Sequence, residues 1–150
     1  MDDKYKESII ILSYQYVYRL LTHLKNIIHV FQQIKNPDDI TKEVYRDSIV
    51  KKYEILEDQL WKLLSKVFKS WGLELSNPRA CYRQAFKEGW IENIDTWNDI
   101  VSSRNATVHV YNEDDYEKIK NKIIAQYVGE IEKLLENIKK EVIDCDVWNS

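Results

Sequence analysis

The sequence predicts an all-α fold, a single up-and-down antiparallel helical bundle of about five helices. The chain of 150 residues contains only three glycines and two prolines, so it can form few turns and must consist of few, long elements. Apolar residues also recur at spacings of three and four over most of its length, which is the period of an amphipathic helix. Since no repeat or linker interrupts this pattern, we expect residues 1–150 to form one domain.

The first predicted helix, from about Asp3 to Ile34, carries two apolar stripes. The main stripe comprises Tyr5, Ile9, Leu12, Tyr16, Leu20, Ile27, Val30 and Ile34, and the second comprises Ile10, Val17, Leu21 and Ile28. The segment "KNPDDIT" then breaks the chain. Two stripes are more apolar surface than a simple bundle needs. The second helix also carries two stripes, so either both helices are central, or one stripe meets a second protein chain.

The second and third helices are bounded by residues that start or end helices. The second runs from about Arg46 to Trp71, with Gly72 as a C-terminal cap. Like the first, it carries two apolar stripes. Its main stripe comprises Ile49, Tyr53, Leu56, Leu60, Leu63 and Val67, and its second stripe comprises Val50, Trp61 and Phe68. The third is short, because Asn77 is suited to cap it, Pro78 to occupy its first position, and Gly89 to end it.

The last two predicted helices follow after a short connection. The fourth begins near Asp95, a suitable N-cap, and reaches about Val110. The fifth runs from about Glu113 to Ile143, with apolar residues again recurring at helical spacing.

The charge and composition of the chain argue against several classes of function. A net charge of -3 argues against broad, non-specific nucleic-acid binding, although it leaves room for a small local RNA site. Neither the two cysteines, Cys81 and Cys145, nor the three separated histidines form a recognisable metal site, and no Gly-rich phosphate loop is present. The N-terminal apolar run is broken by Ser and Gln, so we expect neither a signal peptide nor a membrane span there. We therefore expect a cytoplasmic protein with no metal, no cofactor and no membrane partner.

Polar residues cluster at the end of the fourth helix: Arg104, Asn105, His109 and Tyr111. On a helical wheel Arg104 falls in the middle of an apolar stripe, and Asn105 and His109 stack on its shoulder. Burying an unpaired guanidinium is costly, because it cannot lose its charge. Arg104 must therefore find an acid or carbonyl, face a partner chain, or lie in a solvated cleft.

A purely structural interpretation accounts for this cluster, and the wheel alone favours it. Arg104 would pair with an acid of the second helix, the candidates being Glu54, Glu57 and Asp58. Asn105 would bond a loop carbonyl, and His109 would be favourable near the negative end of the helix dipole. Tyr111 would be a core residue with its hydroxyl outward.

A chemical interpretation is also coherent. Arg104 is suited to phosphate, His109 to proton transfer near neutral pH, and Asn105 to orienting a hydroxyl or the imidazole. These are the parts needed for metal-free RNA cleavage by the ribose 2′-hydroxyl. One histidine does not serve comfortably as both acid and base, so two clusters facing each other across a homodimer would supply both. Arg79 and Arg83, one turn apart, would add phosphate contacts or form a solvated face.

The spacing of Arg104, Asn105, His109 and Tyr111 resembles the signature of HEPN (higher eukaryotes and prokaryotes nucleotide-binding) domains. The longer stretch "SNPRACYRQAFKEGWIENIDTWNDIVSSRNATVHVY" resembles the nucleotidyltransferase substrate-binding family. The shared features are a Ser-x-Pro-Arg helix start, an Ala-Phe-x-x-Gly turn and a Trp before the motif. Here they are Ser76, Pro78, Arg79, Ala85, Phe86, Gly89 and Trp97, with "LWK" at residues 60–62. The resemblance covers roughly residues 46–140.

The resemblance implies a helical bundle that dimerises through the motif helices and has a separately encoded minimal nucleotidyltransferase as partner. In toxin–antitoxin relatives the helical protein is a toxin of the ribonuclease type. The transferase is its antitoxin, which also adenylylates the motif tyrosine, here Tyr111.

Two functions remain open at this point. One is a homodimeric, metal-independent endoribonuclease acting on an RNA substrate through Arg104, Asn105 and His109. The other is a non-catalytic substrate-binding subunit of a two-component nucleotidyltransferase. The sequence inclines us toward the enzyme.

Overall fold

The structure is a computed structural model that describes residues 3–109 and 112–144, with side chains for residues 4–104 and 112–144. Four helices precede a final helical rod: α1 (Asp3–Gln33), α2 (Asp39–Ser70), α3 (Pro78–Lys87) and α4 (Ile94–His109). The rod consists of α5 (Glu113–Lys122), the π-helical segment π1 (Ile123–Tyr127), α6 (Val128–Ile138) and a second π-helical segment, π2 (Lys139–Ile143). All regular structure in these ranges is helical, which confirms the predicted fold class.

The helix α2 is central to the bundle. It packs against α1, α3 and α5, while α6 packs against α1 and π1 packs against α4. Its predicted main stripe is fully buried and consists of Ile49, Tyr53, Leu56, Leu60, Leu63 and Val67. The central position explains why this helix carries more apolar surface than one neighbour could cover.

The start of α2 differs from the prediction. The helix begins at Asp39 rather than near Arg46, because the Asp38 carboxylate accepts a hydrogen bond from the Thr41 backbone N–H at 2.7 Å. Of the predicted break, residues 35–41, only residues 35–38 lie outside a helix. The opening turns lack an apolar stripe facing the core, since Ile40 and Val44 are exposed, and so periodicity did not identify them.

The larger of the two predicted stripes of α1 is not the one that is buried. The second stripe is the one in the core, with Ile10, Val17, Leu21 and Ile28 all buried. Half of the main stripe faces outward, since Tyr5, Leu12, Tyr16 and Val30 are exposed. Its other members, Ile9, Leu20, Ile27 and Ile34, are partly buried, and Leu20 and Ile27 pack against the core. The helix is therefore not central. In the described part of the chain, no helix combines the length and the apolar character that a membrane crossing requires.

The helix ends predicted at Gly72, Asn77 and Gly89 are confirmed. The Asn77 side chain accepts from the Ala80 N–H at 2.9 Å, and Pro78 follows it as the first residue of α3. Gly72 and Gly89 have φ angles of 86° and 82°, a left-handed conformation that suits glycine at a helix end. The cap of α4 is Asn93, which accepts from the Thr96 N–H at 3.2 Å, so the prediction of Asp95 as N-cap is wrong.

Candidate site around Arg104

An ion pair between α4 and α2 organises the candidate site. Arg104 donates from Nη1 to the Glu57 carboxylate, and its Nη2 lies 3.7 Å from Asp58 Oδ1. The Arg104 side chain is 30% exposed, whereas Glu57 is almost completely buried. One side of the guanidinium is thus bound to α2. The observed partners, Glu57 and Asp58, are two of the three acids that the structural interpretation named.

Glu57 is held by a second donor from a third helix. The Tyr82 hydroxyl, on α3, donates to Glu57 Oε1 at 2.7 Å. Burial raises the pKa of Glu57, and the hydrogen bonds and charge supplied by Tyr82 and Arg104 only partly offset it. Burial and the neighbouring carboxylate likewise raise the pKa of Tyr82 well above its usual range. We call Arg104, Glu57, Asp58 and Tyr82 the Arg104 network.

Asp58 lies at the outer edge of this network. Its carboxylate accepts from Lys62 Nζ at 2.7 Å and from the Trp61 indole N–H at 3.2 Å. Although burial acts in the opposite direction, these hydrogen bonds and the nearby cations lower the pKa of Asp58. Two cations, Arg104 and Lys62, thus face two carboxylates, Glu57 and Asp58, so the charges in this cluster are balanced.

A second set of polar contacts joins α4 to the final rod. Tyr127, the last residue of π1, donates to Asp99 Oδ2, and its oxygen lies 2.8 Å from the Ser103 hydroxyl. Lys122 Nζ pairs with Asp99 at 3.2 Å. Burial, followed by the bond to Asp99, raises the pKa of Tyr127, so the phenol stays protonated. These contacts fix the face of α4 one turn before and beside Arg104.

Two buried polar atoms lie beside these contacts without a hydrogen-bond partner among the described residues. They are the Tyr53 hydroxyl oxygen and the Trp97 indole nitrogen. The Tyr53 ring packs on Tyr127 with centroids 5.5 Å apart, and Trp97 packs on Tyr82 at 4.7 Å. Both residues are therefore held by aromatic packing, and their polar atoms add little to the network.

The predicted site residues are only partly within the described structure. Asn105 and His109 lie on α4, but their side chains are outside the described residues, and Tyr111 lies outside them altogether. Arg79 and Arg83 are exposed on α3, one turn apart. The structure therefore gives contacts for Arg104 alone among the predicted catalytic residues.

Sequence reasoning did not identify Tyr82, Tyr127, Asp99 or Ser103 as neighbours of the site. Their contacts join residues far apart in the chain, such as Tyr82 to Glu57, and no local spacing indicates them. Among the described residues, no group of three or more His, Cys, Asp or Glu side chains could hold a metal ion.

The comparison with known families adds the deciding observation. Residues 14–140 match the model of the family described as nucleotidyltransferase substrate binding protein like. The chain belongs to this family. The match includes most of α1, which apolar periodicity alone had not connected to the family, and all of the Arg104 network.

A solved structure extends the family assignment to the fold. The chain is similar to a crystal structure of a Thermus thermophilus protein, with a TM-score of 0.67 and 24% sequence identity. The alignment covers 82% of this chain and 98% of the Thermus chain. At this identity the similarity demonstrates a shared helical fold. No curated protein matches the chain.

Proposed function

We propose that this chain is the substrate-binding subunit of a two-component nucleotidyltransferase, acting in the cytoplasm as one HEPN-like domain. A separately encoded minimal nucleotidyltransferase would be its partner and would perform the transfer. The observation that carries this proposal is the family match over residues 14–140. The chain itself would contribute binding surface and orientation, without a cofactor.

The contacts of Arg104 favour a positioning role within the subunit over direct stabilisation of a transition state. In the observed arrangement Glu57 and Asp58 compensate the guanidinium charge, and Asp58 also binds Lys62. A phosphate approaching Arg104 would have to compete with two fixed carboxylates. Such an arrangement orients an arginine well but leaves no surplus positive charge for a phosphoryl transition state.

The test is reconstitution with the nucleotidyltransferase encoded by the neighbouring reading frame. We expect the purified proteins to form a complex in light scattering and labelled nucleotide to be transferred only when both are present. Arg104→Gln should lower transfer while the complex persists, and Arg19→Gln, which removes an exposed arginine of α1, should not. Failure of the two chains to associate would reject the proposal.

The second candidate is a toxin with metal-independent endoribonuclease activity, and the motif order favours it. Arg104, Asn105 and His109 all lie on α4 and keep the spacing of the HEPN signature. In this proposal Arg104 stabilises the charge on the RNA phosphate, His109 moves protons and Asn105 orients them. Arg79 and Arg83, both exposed, would add phosphate contacts.

Toxicity separates the two candidates. A ribonuclease expressed without its partner should arrest growth, and His109→Ala should relieve the arrest. The purified chain should also cleave RNA equally well with and without EDTA, because no metal takes part. Growth arrest that persists in His109→Ala, or RNA left intact by the pure protein, would favour the substrate-binding subunit.

The ribonuclease proposal includes a homodimer in which two His109 side chains share one cleft at the shoulder of α4. The exposed half of the main stripe of α1, which includes Tyr5, Leu12 and Tyr16, supplies a competing surface for self-association. Light scattering at micromolar concentration should give a dimer mass, and cross-linking should join the two α4 helices. A monomer, or a dimer joined through α1, would contradict the shared cleft.

Tyr111 is proposed as the residue that the partner adenylylates. An adenylate two residues beyond His109 would add a negative charge and bulk near Arg104, and both would oppose RNA binding. Co-expression with the transferase, ATP and magnesium should add one adenylate mass, and Tyr111→Phe should abolish it. An adduct on a distant residue such as Tyr14, or no adduct, would leave occlusion by the partner as the only means of inhibition.

A further inference from the structure

A cleft between the start of α1 and the end of α2 has no role in the functions discussed above. Its volume is about 480 Å³, which is within the range of small-molecule sites. Ile9 and Ile10 provide an apolar surface, and Lys6, Lys66 and Lys69 supply positive charge. Ser70, Gly72 and Glu74 complete the lining. Lys66 lies nine residues beyond Glu57 on α2, so the cleft is about 13 Å further along the helix axis than the Arg104 network.

The three lysines of the cleft have no acidic partner among the described residues. None of Lys6, Lys66 and Lys69 takes part in a salt bridge in that part of the chain. Lys66 instead lies across the cleft, with its Nζ 3.3 Å from Ser13 Oγ on α1. Three lysines and one glutamate leave the lining with a net charge of +2. Such a concave surface concentrates anions.

Helix electrostatics account for only part of this cluster. Lys69 is in the last turn of α2, where a cation interacts favourably with the helix dipole. Lys6 is the fourth residue of α1, close to the end of a helix that disfavours cations. The dipole therefore does not explain why lysines from both helices border the same cleft.

We propose that this cleft binds a small phosphomonoester that has an apolar or aromatic body. A terminal phosphate carries a charge close to -2 and three acceptor oxygens, which suits three lysine ammonium groups and a net lining charge of +2. The body of the ligand lies chiefly on Ile9, which is partly exposed, since Ile10 is almost completely buried. This site is separate from the Arg104 network and does not depend on either function proposed for that network.

The backbone amide of Gly72 reports on the cleft in a nitrogen–proton NMR spectrum. The chain has only three glycines, and Gly129, on α6, serves as an internal control. The probes are inorganic phosphate, adenosine 5′-monophosphate, adenosine and an adenosine dinucleotide with an internal phosphodiester. We expect the monophosphate to shift the Gly72 signal in a saturable manner and inorganic phosphate to shift it more weakly, while adenosine leaves it unchanged. The Gly129 signal should not move.

Charge-matched variants test the assignment to the lysines. Lys66→Gln combined with Lys69→Gln should weaken binding of the monophosphate about tenfold, because two of its three cationic partners are lost. The control replaces exposed Lys51 and Lys118 with Gln and should leave the affinity nearly unchanged. Any of four results would overturn the proposal. They are equal weakening in both variants, a shift of the Gly72 signal with adenosine, tighter binding of the dinucleotide than of the monophosphate, and no shift at millimolar monophosphate. Circular dichroism of both variants establishes that they are folded.

Discussion

Arg104 on α4 and Glu57 on α2 form an ion pair in which the carboxylate is only 1% exposed and also accepts a hydrogen bond from Tyr82. Three helices thus meet at one carboxylate. Removing one member of such a pair leaves the other charge buried and poorly compensated, which costs more than the pair contributes by itself. This asymmetry makes the contact directly testable by stability measurements.

The first prediction concerns the coupling of these two side chains. Arg104→Ala should lower the free energy of unfolding at neutral pH by about 2 kcal/mol, because the buried Glu57 carboxyl loses one hydrogen-bond donor and the charge that compensates it. Adding Glu57→Gln should recover part of this loss. A double-mutant cycle by urea denaturation gives the coupling energy, and strictly additive effects would contradict a direct pair.

The second prediction is a pH dependence caused by Glu57. Because burial raises its pKa in the folded protein above the ordinary value of 4.5, the folded state binds this proton more tightly than the unfolded chain does. The contribution of Glu57 to the free energy of unfolding should therefore decrease as pH rises from below 4.5 through the raised value.

Comparison with Glu57→Gln isolates this contribution from other titrating groups. The difference in unfolding free energy between the parent protein and the variant, measured at several pH values, should decline across that window and level off above it. Asp58→Asn is a suitable contrast, since the pKa of Asp58 is lowered and its pH effect has the opposite sign. A difference that does not vary with pH would contradict the raised pKa.

The third prediction compares two buried tyrosines that differ in hydrogen bonding. Tyr127→Phe removes the contacts to Asp99 and Ser103 and should lower the free energy of unfolding by about 1–2 kcal/mol. Tyr53→Phe removes a hydroxyl that has no partner among the described residues, so it should be neutral or slightly stabilising. Thermal unfolding of both variants checks the order, and a larger loss for Tyr53→Phe would contradict it.

The fourth prediction contrasts two glycines that both have room for a methyl group. Gly89 has a φ angle of 82°, so Gly89→Ala should destabilise the protein by about 1 kcal/mol through backbone strain. Gly129 is within α6, and Gly129→Ala should stabilise it by about 0.5–1 kcal/mol. Nothing lies within 4 Å of the added carbon at either position, so denaturation midpoints compare backbone effects alone. Equal shifts at both positions would contradict this reasoning.

The sequence predicted most of the fold because helical spacing and capping residues are local signals. The end of α2, the whole of α3 and the start of the final rod at Glu113 follow from residues such as Gly72 and Asn77. The start of α2 was predicted several residues late, since a polar opening turn held by Asp38 has no apolar period. Which stripe of α1 enters the core was also beyond local reasoning, because both stripes have the same spacing.

The sequence predicted which types of residue pair in the site, but it did not predict which individual residues do so. Burial of an arginine in an apolar stripe requires a partner, and the acids of α2 were the available candidates. Selecting Glu57 and Asp58 from among them requires the relative rotation of α2 and α4, which only packing determines. For the same reason the sequence did not predict the contact of Tyr127, the last residue of π1, with Asp99 on α4.

The π1 segment has a consequence for how relatives of this chain are aligned. A π turn accommodates one residue more than an α turn, so the side chains that follow are rotated by about 100° relative to an uninterrupted helix. The rod packs on α2 before π1 and on α1 after it, and π1 itself packs on α4. A relative lacking one residue between 123 and 127 would keep both flanking helices but present a different side chain to α4. Such a relative should therefore be aligned with a gap at π1, even where a continuous helix gives the higher similarity score.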